Sequence, residues 1–434
     1  MTSKIVVNNI EPDAGISTVS ILGIATATKF IGDVEGGVTG NVTGNVTGSS
    51  GSCTGNAATA TVASGITTTA SVNTSGIVTA TSFVPTVGQL SHRNLIINGA
   101  CLVQQRSSSG SATNGYATVD RFQTANAGND EMPTQGSFGV SPPGAFHLPT
   151  TGPHPYKEGF RKAFGVTNGN QTSGAGAGDV VAIRYSVEAQ DIANSGWHYT
   201  DSSSFITLSF WVKSSAAQNF YGYLLTLDGT MQRYAFETGA LTAFTWKKVV
   251  LKIPGNSNIT IDDNNGEGFR IEWRPFSGTD ETDSGVSLNT WGAFAGGTRT
   301  PDSPTTWYTT NDASFQITGV QLEVGSVATP FEHRSFGEEL SLCERYFEIC
   351  ATGQVMLIES TNSGYVEIPL IFRTKKRTNP TMTLISSDEN FVSSVTVVTG
   401  NTTGKPYQAG IRGNNIVATG NKYLYGVASA SAEL

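Results

Sequence analysis

The sequence predicts an all-β protein with a fibrous, intertwined N-terminal β-stem, an antiparallel β-sandwich or jelly-roll head, and a small C-terminal β domain with one helix. Three observations predict this. A repeat of Val, Thr, Gly and Asn with a period of four runs over 38–48, many short alternating apolar segments fill the middle of the chain, and a single segment has helical periodicity. The 434 residues therefore divide into 1–35, 36–90, 91–335 and 336–434.

The stem prediction rests on the composition of 36–90, which is mostly Gly, Thr, Ser, Ala, Val and Asn. Such a chain has too little apolar surface to bury a core of its own. Val and Thr favour extended backbone, Gly permits close approach of neighbouring chains, and a period of four is not the heptad of a coiled coil. We therefore expect this segment to pair with other copies of the chain as an intertwined β-stem, with a flexible linker as the alternative. Residues 1–35 are the expected attachment or assembly segment.

The sandwich prediction rests on alternating segments separated by turn residues. The predicted strands of 91–335 are 205–212, 221–227, 246–253, 269–273 and 315–324. Asp228-Gly229 is a hairpin-type turn signal, and no helical period lies between the strands, which is typical of an antiparallel sandwich or jelly roll. All six tryptophans belong to this part, and Trp211 and Trp246 fall inside strand patterns, so we expect both in the core.

The helix prediction covers 336–349. Ser335 can serve as N-cap and Glu338 stands three residues on, which is the pattern of a capping box. The apolar residues that follow recur at helical spacing. The strands predicted after the helix are 355–358, 366–372, 382–385 and 395–398.

Charge and cysteine usage exclude several classes of protein. The net charge is −8 and the basic residues are unclustered except at 375–377, which disfavours nucleic acid and anionic membrane as partners. No apolar run approaches 18 residues, so no membrane insertion is expected, and the N-terminus has no apolar stretch typical of a secretory signal. The four cysteines lack zinc or redox spacing, which predicts reduced thiols in a protein made in a cytoplasm.

Catalytic and metal sites are not expected. Paired carboxylates can cleave polysaccharides, and the candidate acids are Asp262, Asp263, Glu267, Asp280, Glu281 and Asp283. All stand in turn-rich segments, where solvated loop acids are the simpler interpretation. The segment 263–268 begins like a calcium loop, but its twelfth position is Arg274 instead of Glu, so no EF-hand is predicted and a looser calcium site is the alternative. No cofactor is expected.

Carbohydrate recognition is the chemistry that the sequence favours. A sugar needs an aromatic ring for its apolar side and planar polar side chains for its hydroxyls. Two loop segments offer both, and the candidate residues are Trp197, His198, Tyr199 and Asp201 in the first, and Trp291, Arg299, Asp302, Trp307 and Tyr308 in the second. For any single ring the alternative, that it fills the core or a subunit interface, is the stronger one.

Several motifs resemble those of bacteriophage tail fibres. The segment 94–99 with Asp120-Arg121-Phe122 resembles the opening of a domain common in these fibres, and 319–347 resembles its closing segment and following helix. The strand ending at 210–214 is similar to the middle of that domain, and the repeats of 38–48 resemble those of fibres from marine and cyanobacterial phages. The segment 125–175 departs from the pattern.

The resemblance implies a homotrimeric virion fibre with a carbohydrate-binding-like β-sandwich. On that basis we expect a non-catalytic tail fibre, made in the host cytoplasm, that recognises a host cell-surface polysaccharide during adsorption. Its other partners would be tail or baseplate proteins of the virion, bound through 1–35. The alternatives are a purely structural accessory fibre or connector and a polysaccharide depolymerase.

Overall fold

The computed structural model of the chain describes residues 92–107, 109–144, 151–351, 365–389, 392–399, 408–416 and 424–434. These residues all fall in one compact unit, Ala80–Leu434. The predicted attachment segment, the predicted stem and the predicted strand 355–358 lie outside the described residues, and the homotrimer stays a prediction. The described part consists of antiparallel sheets with two short α-helices, which confirms the all-β class.

The head is built from strands β1 to β11 and a short helix α1 (Ala189–Ala193). In chain order the strands are β1 (Phe122–Thr124), β2 (Thr134–Gly139), β3 (Lys162–Thr167), β4 (Val180–Glu188), β5 (Phe205–Ser214), β6 (Tyr221–Thr226), β7 (Gln232–Glu237), β8 (Lys247–Pro254), β9 (Glu267–Ser277), β10 (Trp291–Ala293) and β11 (Ser314–Val324).

Two sheets pack face to face as a sandwich. One has the order β1-β4-β9-β6-β7-β10 and the other β2-β3-β11-β5-β8. Aromatic rings from both sheets meet between them: the ring centroid of Phe210 on β5 lies 6.1 Å from that of Phe236 on β7 and 5.5 Å from that of Trp273 on β9. The antiparallel β-sandwich head is therefore confirmed.

The strands predicted in the head are β5, β6, β8, β9 and β11, each displaced by a few residues at its ends. The segment 125–175, which did not fit the fibre pattern, contains β2 and β3 of the five-stranded sheet. Sequence alternation alone did not reveal β4, although it pairs along its length with β9 at the centre of the six-stranded sheet.

Trp211 and Trp246 are buried, as expected, but on the outer face of the five-stranded sheet. They form a second apolar cluster with Phe160 there, beneath the segment that precedes β3. The indole nitrogen of Trp211 donates a hydrogen bond to Glu158 at 3.1 Å. This covering layer explains why β5 is apolar on both of its faces.

Beyond the head, helix α2 (Phe336–Glu344) precedes strands β12 to β17. The strands are β12 (Phe347–Ala351), β13 (Tyr365–Ile371), β14 (Thr381–Glu389), β15 (Val392–Thr399), β16 (Gln408–Ile416) and β17 (Leu424–Ser431). They form two three-stranded sheets, β12-β17-β14 and β13-β16-β15. The limits 91–335 and 336–434 stay predictions, because all described residues belong to one unit.

Helix α2 starts where the sequence predicts and ends earlier. The hydroxyl of Ser335 accepts a hydrogen bond from the backbone N–H of Glu338 at 3.3 Å, as an N-cap does. The predicted end at residue 349 is wrong, because Phe347–Ala351 pairs with β17 as β12. Strand pairing with a distant segment overrides the local helical pattern. Cys343 and Cys350 therefore lie on different elements, and both are free and buried.

A buried ionic network joins the segment after α2 to the sandwich. The guanidinium of Arg345 donates two hydrogen bonds of 2.7 Å to the carboxylate of Glu188, at the end of β4, and the hydroxyl of Tyr346 donates a third. The fully buried Arg121 lies with its guanidinium carbon 3.5 Å from the ring centroid of Tyr346. Its charge is paired with Glu433, after β17.

Candidate functional site

The predicted sugar-binding rings Trp197, Trp307 and Tyr308 are core residues, and their prediction as loop platforms is wrong. Their relative exposures are 2%, 0% and 0%. The indole nitrogen of Trp307 donates to the backbone of Ser314 at 3.0 Å, and the ring of Tyr308 stacks on Phe276 with centroids 4.1 Å apart. These large apolar rings fill the interior at the ends of the sandwich, so none of them has an exposed face on which a sugar could stack.

The other residues of the first loop lie at the surface after α1. His198 is exposed, and its Nδ1 stands 3.7 Å from Asp201. The carboxylate of Asp201 accepts hydrogen bonds from the backbone N–H and hydroxyl of Ser203, both at 2.8 Å. Tyr199 is half-buried against Trp197. The segment thus offers polar groups around one partly exposed ring.

The remaining residues of the second loop are separated by the fold. Trp291, on edge strand β10, borders a groove, and Arg299 borders a different cleft on the outer face of the same sheet. Asp302 accepts a hydrogen bond from the hydroxyl of Thr282 at 2.8 Å and lines a third, small cavity. One loop segment therefore contributes to three places instead of one.

The Trp291 groove is the site that matches the chemistry expected of a sugar subsite. It has a volume of about 470 Å³, and its lining residues are Thr230, Gln232, Ser257, Asn258, Thr260, Trp291, Gly292 and Ala293. The ring supplies an apolar surface, Asn258 supplies an exposed planar amide, and the Ser and Thr residues supply hydroxyls. Gln232 is buried, and its amide nitrogen donates to the backbone of Thr230 and Met231. No charged side chain is among these lining residues.

The fold holds Trp291 in place. Strand β10 pairs with β7, with Trp291 opposite Tyr234, whose ring centroid lies 5.2 Å from that of the indole. Phe269 packs edge-on at 6.3 Å, and the indole nitrogen donates a 2.7 Å hydrogen bond to the backbone of Pro254. Since its one donor is satisfied and its ring is packed on the core, the half-exposed indole is a rigid platform.

The opposite wall of the groove comes from the turn between β8 and β9. Ser257, Asn258 and Thr260 are exposed there. The backbone of Asn258 donates to Asn256 at 2.8 Å, and Thr260 forms an isolated bridge with Asp228. The sequence analysis did not select this wall, because short polar turn residues are found in every surface loop and become informative only when they face an aromatic ring.

The cleft at Arg299 is built on charged residues that β9 places on one side of the sheet. Arg270, Glu272 and Arg274 alternate with apolar residues along β9. Burial acts to raise the pKa of Glu272, but Arg274 and Arg184 outweigh it and hold this pKa below its usual range. The sequence shows charged and apolar residues alternating over 269–273. The charged residues of that pattern, Arg270 and Glu272, were the signal from which a charged outer face could have been predicted.

The segment that resembles a calcium loop is occupied with other contacts. The carboxylate of Asp263 accepts from Asn194 at 2.8 Å, Asn265 donates to the backbone of Arg377, and Glu267 pairs with Arg270 at 2.6 Å. Among the residues that the structure describes, no group of three or more His, Cys, Asp or Glu could hold a metal ion.

In the same residues, no helix is long and apolar enough to cross a membrane.

Comparison with known proteins gives distant structural similarities only. No protein-family model matches the sequence, and neither does any curated protein. The enzymatically active domain of tailspike protein 4 of bacteriophage CBA120 aligns with 54% of this chain and 21% of its own length, at 11% identity and a TM-score of 0.26.

Two carbohydrate-binding modules align at similar levels. The N-terminal cellulose-binding domain of Cellulomonas fimi β-1,4-glucanase C covers 52% of this chain and 99% of its own length, at 10% identity and a TM-score of 0.23. The family 11 module of a Clostridium thermocellum cellulosomal cellulase covers 53% and 99%, at 12% identity and a TM-score of 0.21. At scores this low, what this chain binds has to follow from its own residues.

Proposed function

We propose that this protein is a non-catalytic phage tail fibre that binds a host cell-surface glycan through the Trp291 groove. The observation that carries the proposal is a half-exposed, rigidly held indole bordered by the exposed amide of Asn258 and by three hydroxyl side chains. An indole covers the apolar side of a pyranose ring, while amides and hydroxyls exchange hydrogen bonds with its hydroxyl groups.

The groove favours a neutral sugar unit at this position. Its lining carries polar but uncharged side chains, with Gly292 and Ala293 leaving the floor beside the ring unobstructed. Because the groove is open and lies at the edge of the six-stranded sheet, an extended polysaccharide could pass through it and continue in both directions. Each contact would be weak, and the predicted trimer would raise the avidity by orders of magnitude.

The test is binding of the purified full-length protein to host cells and to polysaccharide extracted from them, comparing wild type with Trp291→Ala and Asn258→Ala. Loss of a central aromatic contact costs about 2 kcal/mol or more, so Trp291→Ala should weaken binding more than about tenfold. Asn258 is exposed and, among the described residues, its side chain bonds to no other element, so Asn258→Ala should weaken binding while the melting temperature stays unchanged.

Phe244→Ala is the matched control, since Phe244 is an exposed aromatic residue outside the groove. It should bind as wild type does. Binding unchanged in both Trp291→Ala and Asn258→Ala would contradict the proposed groove. Absence of any retention on host cells would favour a purely structural fibre or connector. Release of reducing ends from the polysaccharide would instead identify a depolymerase.

A further inference from the structure

On the outer face of the six-stranded sheet, several arginine side chains surround one buried carboxylate. The fully buried carboxylate of Glu272 is paired with Arg184 on β4 at 2.7 Å and with Arg274 on its own strand at 3.3 Å. Arg270 approaches the same carboxylate at 3.8 Å. Arg270 is also paired with Glu267, and Glu281 is paired with Arg274 and with Arg299. Four guanidinium groups thus meet three carboxylates, which leaves one positive charge in excess on this face.

A chain segment crosses this face and defines a cleft. Residues 294–300 lie over β6 and β7, where the Arg233 guanidinium donates to the backbone oxygens of Thr298 and Arg299 at 2.6 and 3.1 Å. The part of the face toward β1 and β4 remains open as a cleft of about 380 Å³. Its charged lining residues are Arg184, Arg274, Arg299 and Glu281, and its amide lining residues are Asn114, Gln123 and Asn126.

Two of the arginines have donors to spare. Arg184 contacts Glu272 through Nε, and its side chain is 26% exposed. Arg299 uses Nη1 for Glu281 and Nε for the backbone of Gly296, and its side chain is 21% exposed. Within the described residues, both terminal nitrogens of Arg184 and the Nη2 of Arg299 have no hydrogen-bond partner, so three N–H-bearing nitrogens remain for a ligand.

An independent observation points to a ligand at the same cleft. Asn126 is about nine-tenths buried, at 7% exposure, yet its side-chain oxygen has no hydrogen-bond donor among the described residues. Its amide nitrogen contacts the sulfur of Met132, and its backbone N–H is bonded to Asn114. A buried carbonyl without a donor is costly, which is a reason to expect a hydroxyl group of a bound molecule there.

From this geometry we infer that the cleft binds an anionic sugar, one that carries a carboxylate or a sulfate. The oxyanion would accept hydrogen bonds from Arg184 and Arg299, whose planar guanidinium groups suit such an acceptor, and a sugar hydroxyl would donate to Asn126. The inference rests on the proposed function, because it assigns a charge to the glycan that the Trp291 groove would bind at a neutral unit.

The two sites lie toward opposite edges of one sheet. The cleft is centred near β4 and the groove near β10, four strand spacings away, or about 20 Å. They also lie on different sides of that sheet, because Trp291 stands opposite the core residue Tyr234 whereas Arg184 and Arg274 lie on the outer face, so each site would select its sugar unit separately.

The test measures the dissociation constants of the full-length protein for polygalacturonate, dextran sulfate and neutral dextran. Wild type should bind at least one of the acidic polymers more than about tenfold more tightly than dextran at low salt, and the preference should weaken as added salt screens the charges. Preference for polygalacturonate identifies a carboxylate ligand, and preference for dextran sulfate identifies a sulfate.

The variants Arg184→Gln and Arg299→Gln should each lower the affinity for the preferred acidic polymer about tenfold or more. Lys162→Gln is the matched control, because it removes one exposed positive charge from the other sheet, and it should leave the affinity unchanged. If Arg184→Gln fails to fold, Arg299→Gln still tests the inference, because Glu281 keeps its ion pair with Arg274 when Arg299 is replaced.

Equal binding of acidic and neutral polymers by wild type would overturn the inference, as would unchanged acidic binding in Arg299→Gln. Either result leaves the Trp291 groove untouched, because that proposal is judged by Trp291→Ala and Asn258→Ala. Acidic binding that depends on Arg184 and Arg299 would support the cleft whatever the effect of Trp291→Ala, because the groove is tested with the host polysaccharide and its neutral units.

Discussion

Replacing Glu433 with Gln tests whether the buried network holds the end of the chain to the sandwich. The Glu433 carboxylate pairs with Arg106 at 2.7 Å and with Arg121, and its own side chain is almost fully buried. Arg121 also donates to the backbone of Ser186 at 2.7 Å, so it cannot leave for solvent without breaking a bond to β4. The variant would keep the shape of the side chain and remove its charge.

The expected loss is large because a buried charge remains without its partner. Removing one member of a buried ion pair costs about 3–5 kcal/mol, whereas an exposed pair contributes about 0–1 kcal/mol. Glu433→Gln should therefore lower the free energy of unfolding by about 3–5 kcal/mol. Glu367→Gln is the matched control, since its pair with Arg412 is about one-third exposed.

Urea unfolding followed by tryptophan fluorescence is the assay, at one fixed protein concentration because self-association is predicted. The double variant Arg121→Met with Glu433→Leu should recover part of the loss, because it removes the unpaired charge of Arg121, while Arg106 keeps its 3.1 Å pair with Asp120. If Glu433→Gln loses no more stability than Glu367→Gln, the network does not stabilise the fold as its geometry suggests.

Two further predictions concern single residues. Burial acts to raise the pKa of the Glu188 carboxyl. The hydrogen bonds and charge of Arg345, with hydrogen bonds from Tyr346 and Gln190, outweigh burial and hold the folded-state pKa below the usual range. A carboxylate with a depressed folded-state pKa stabilises the fold above its unfolded-state pKa and loses that contribution as the pH falls through the folded-state value. Glu188→Gln should therefore be less stable than wild type at neutral pH and lose less of its stability on acidification. Urea midpoints measured over a range of pH would show both effects. Gly319 lies at a bulge of β11 with φ +61°, and a Cβ at this position would stand 2.6 Å from the ring of Phe160. Gly319→Ala should therefore lower the free energy of unfolding, measured with urea, by about 1–3 kcal/mol. Gly337→Ala, in helix α2 with open space around it, should be neutral or slightly stabilising, and equal losses in the two glycine variants would contradict the strain argument.

Much of the fold follows from local pattern. The strands β5, β8 and β11 alternate or carry continuous apolar residues between turn signals, and the Ser335 cap marks the start of α2. Strand β12 could not be predicted in this way, because Phe347–Ala351 continues a helical pattern and becomes a strand only by pairing with β17, some eighty residues later.

The sequence predicted the kind of residue in the proposed site better than its place. It predicted that a loop aromatic ring beside planar polar side chains would contact a sugar, and Trp291, one of the predicted rings, lines the groove proposed as that site. Trp197 and Trp307 match the same local description and are buried, because their burial depends on the rings that the opposite sheet brings against them. Arg299 was predicted to share one sugar site with Trp291 and borders the charged cleft, away from the Trp291 groove.

The sequence by itself determined the all-β class, most strands of the head and the start of the helix, because side-chain periodicity and capping act between residues close together in the chain. Tertiary structure alone decided which tryptophan reaches solvent, where α2 ends, and which carboxylate each arginine meets. Those outcomes depend on strand order and on contacts between residues far apart in sequence, such as Arg121 with Glu433 and Arg184 with Glu272.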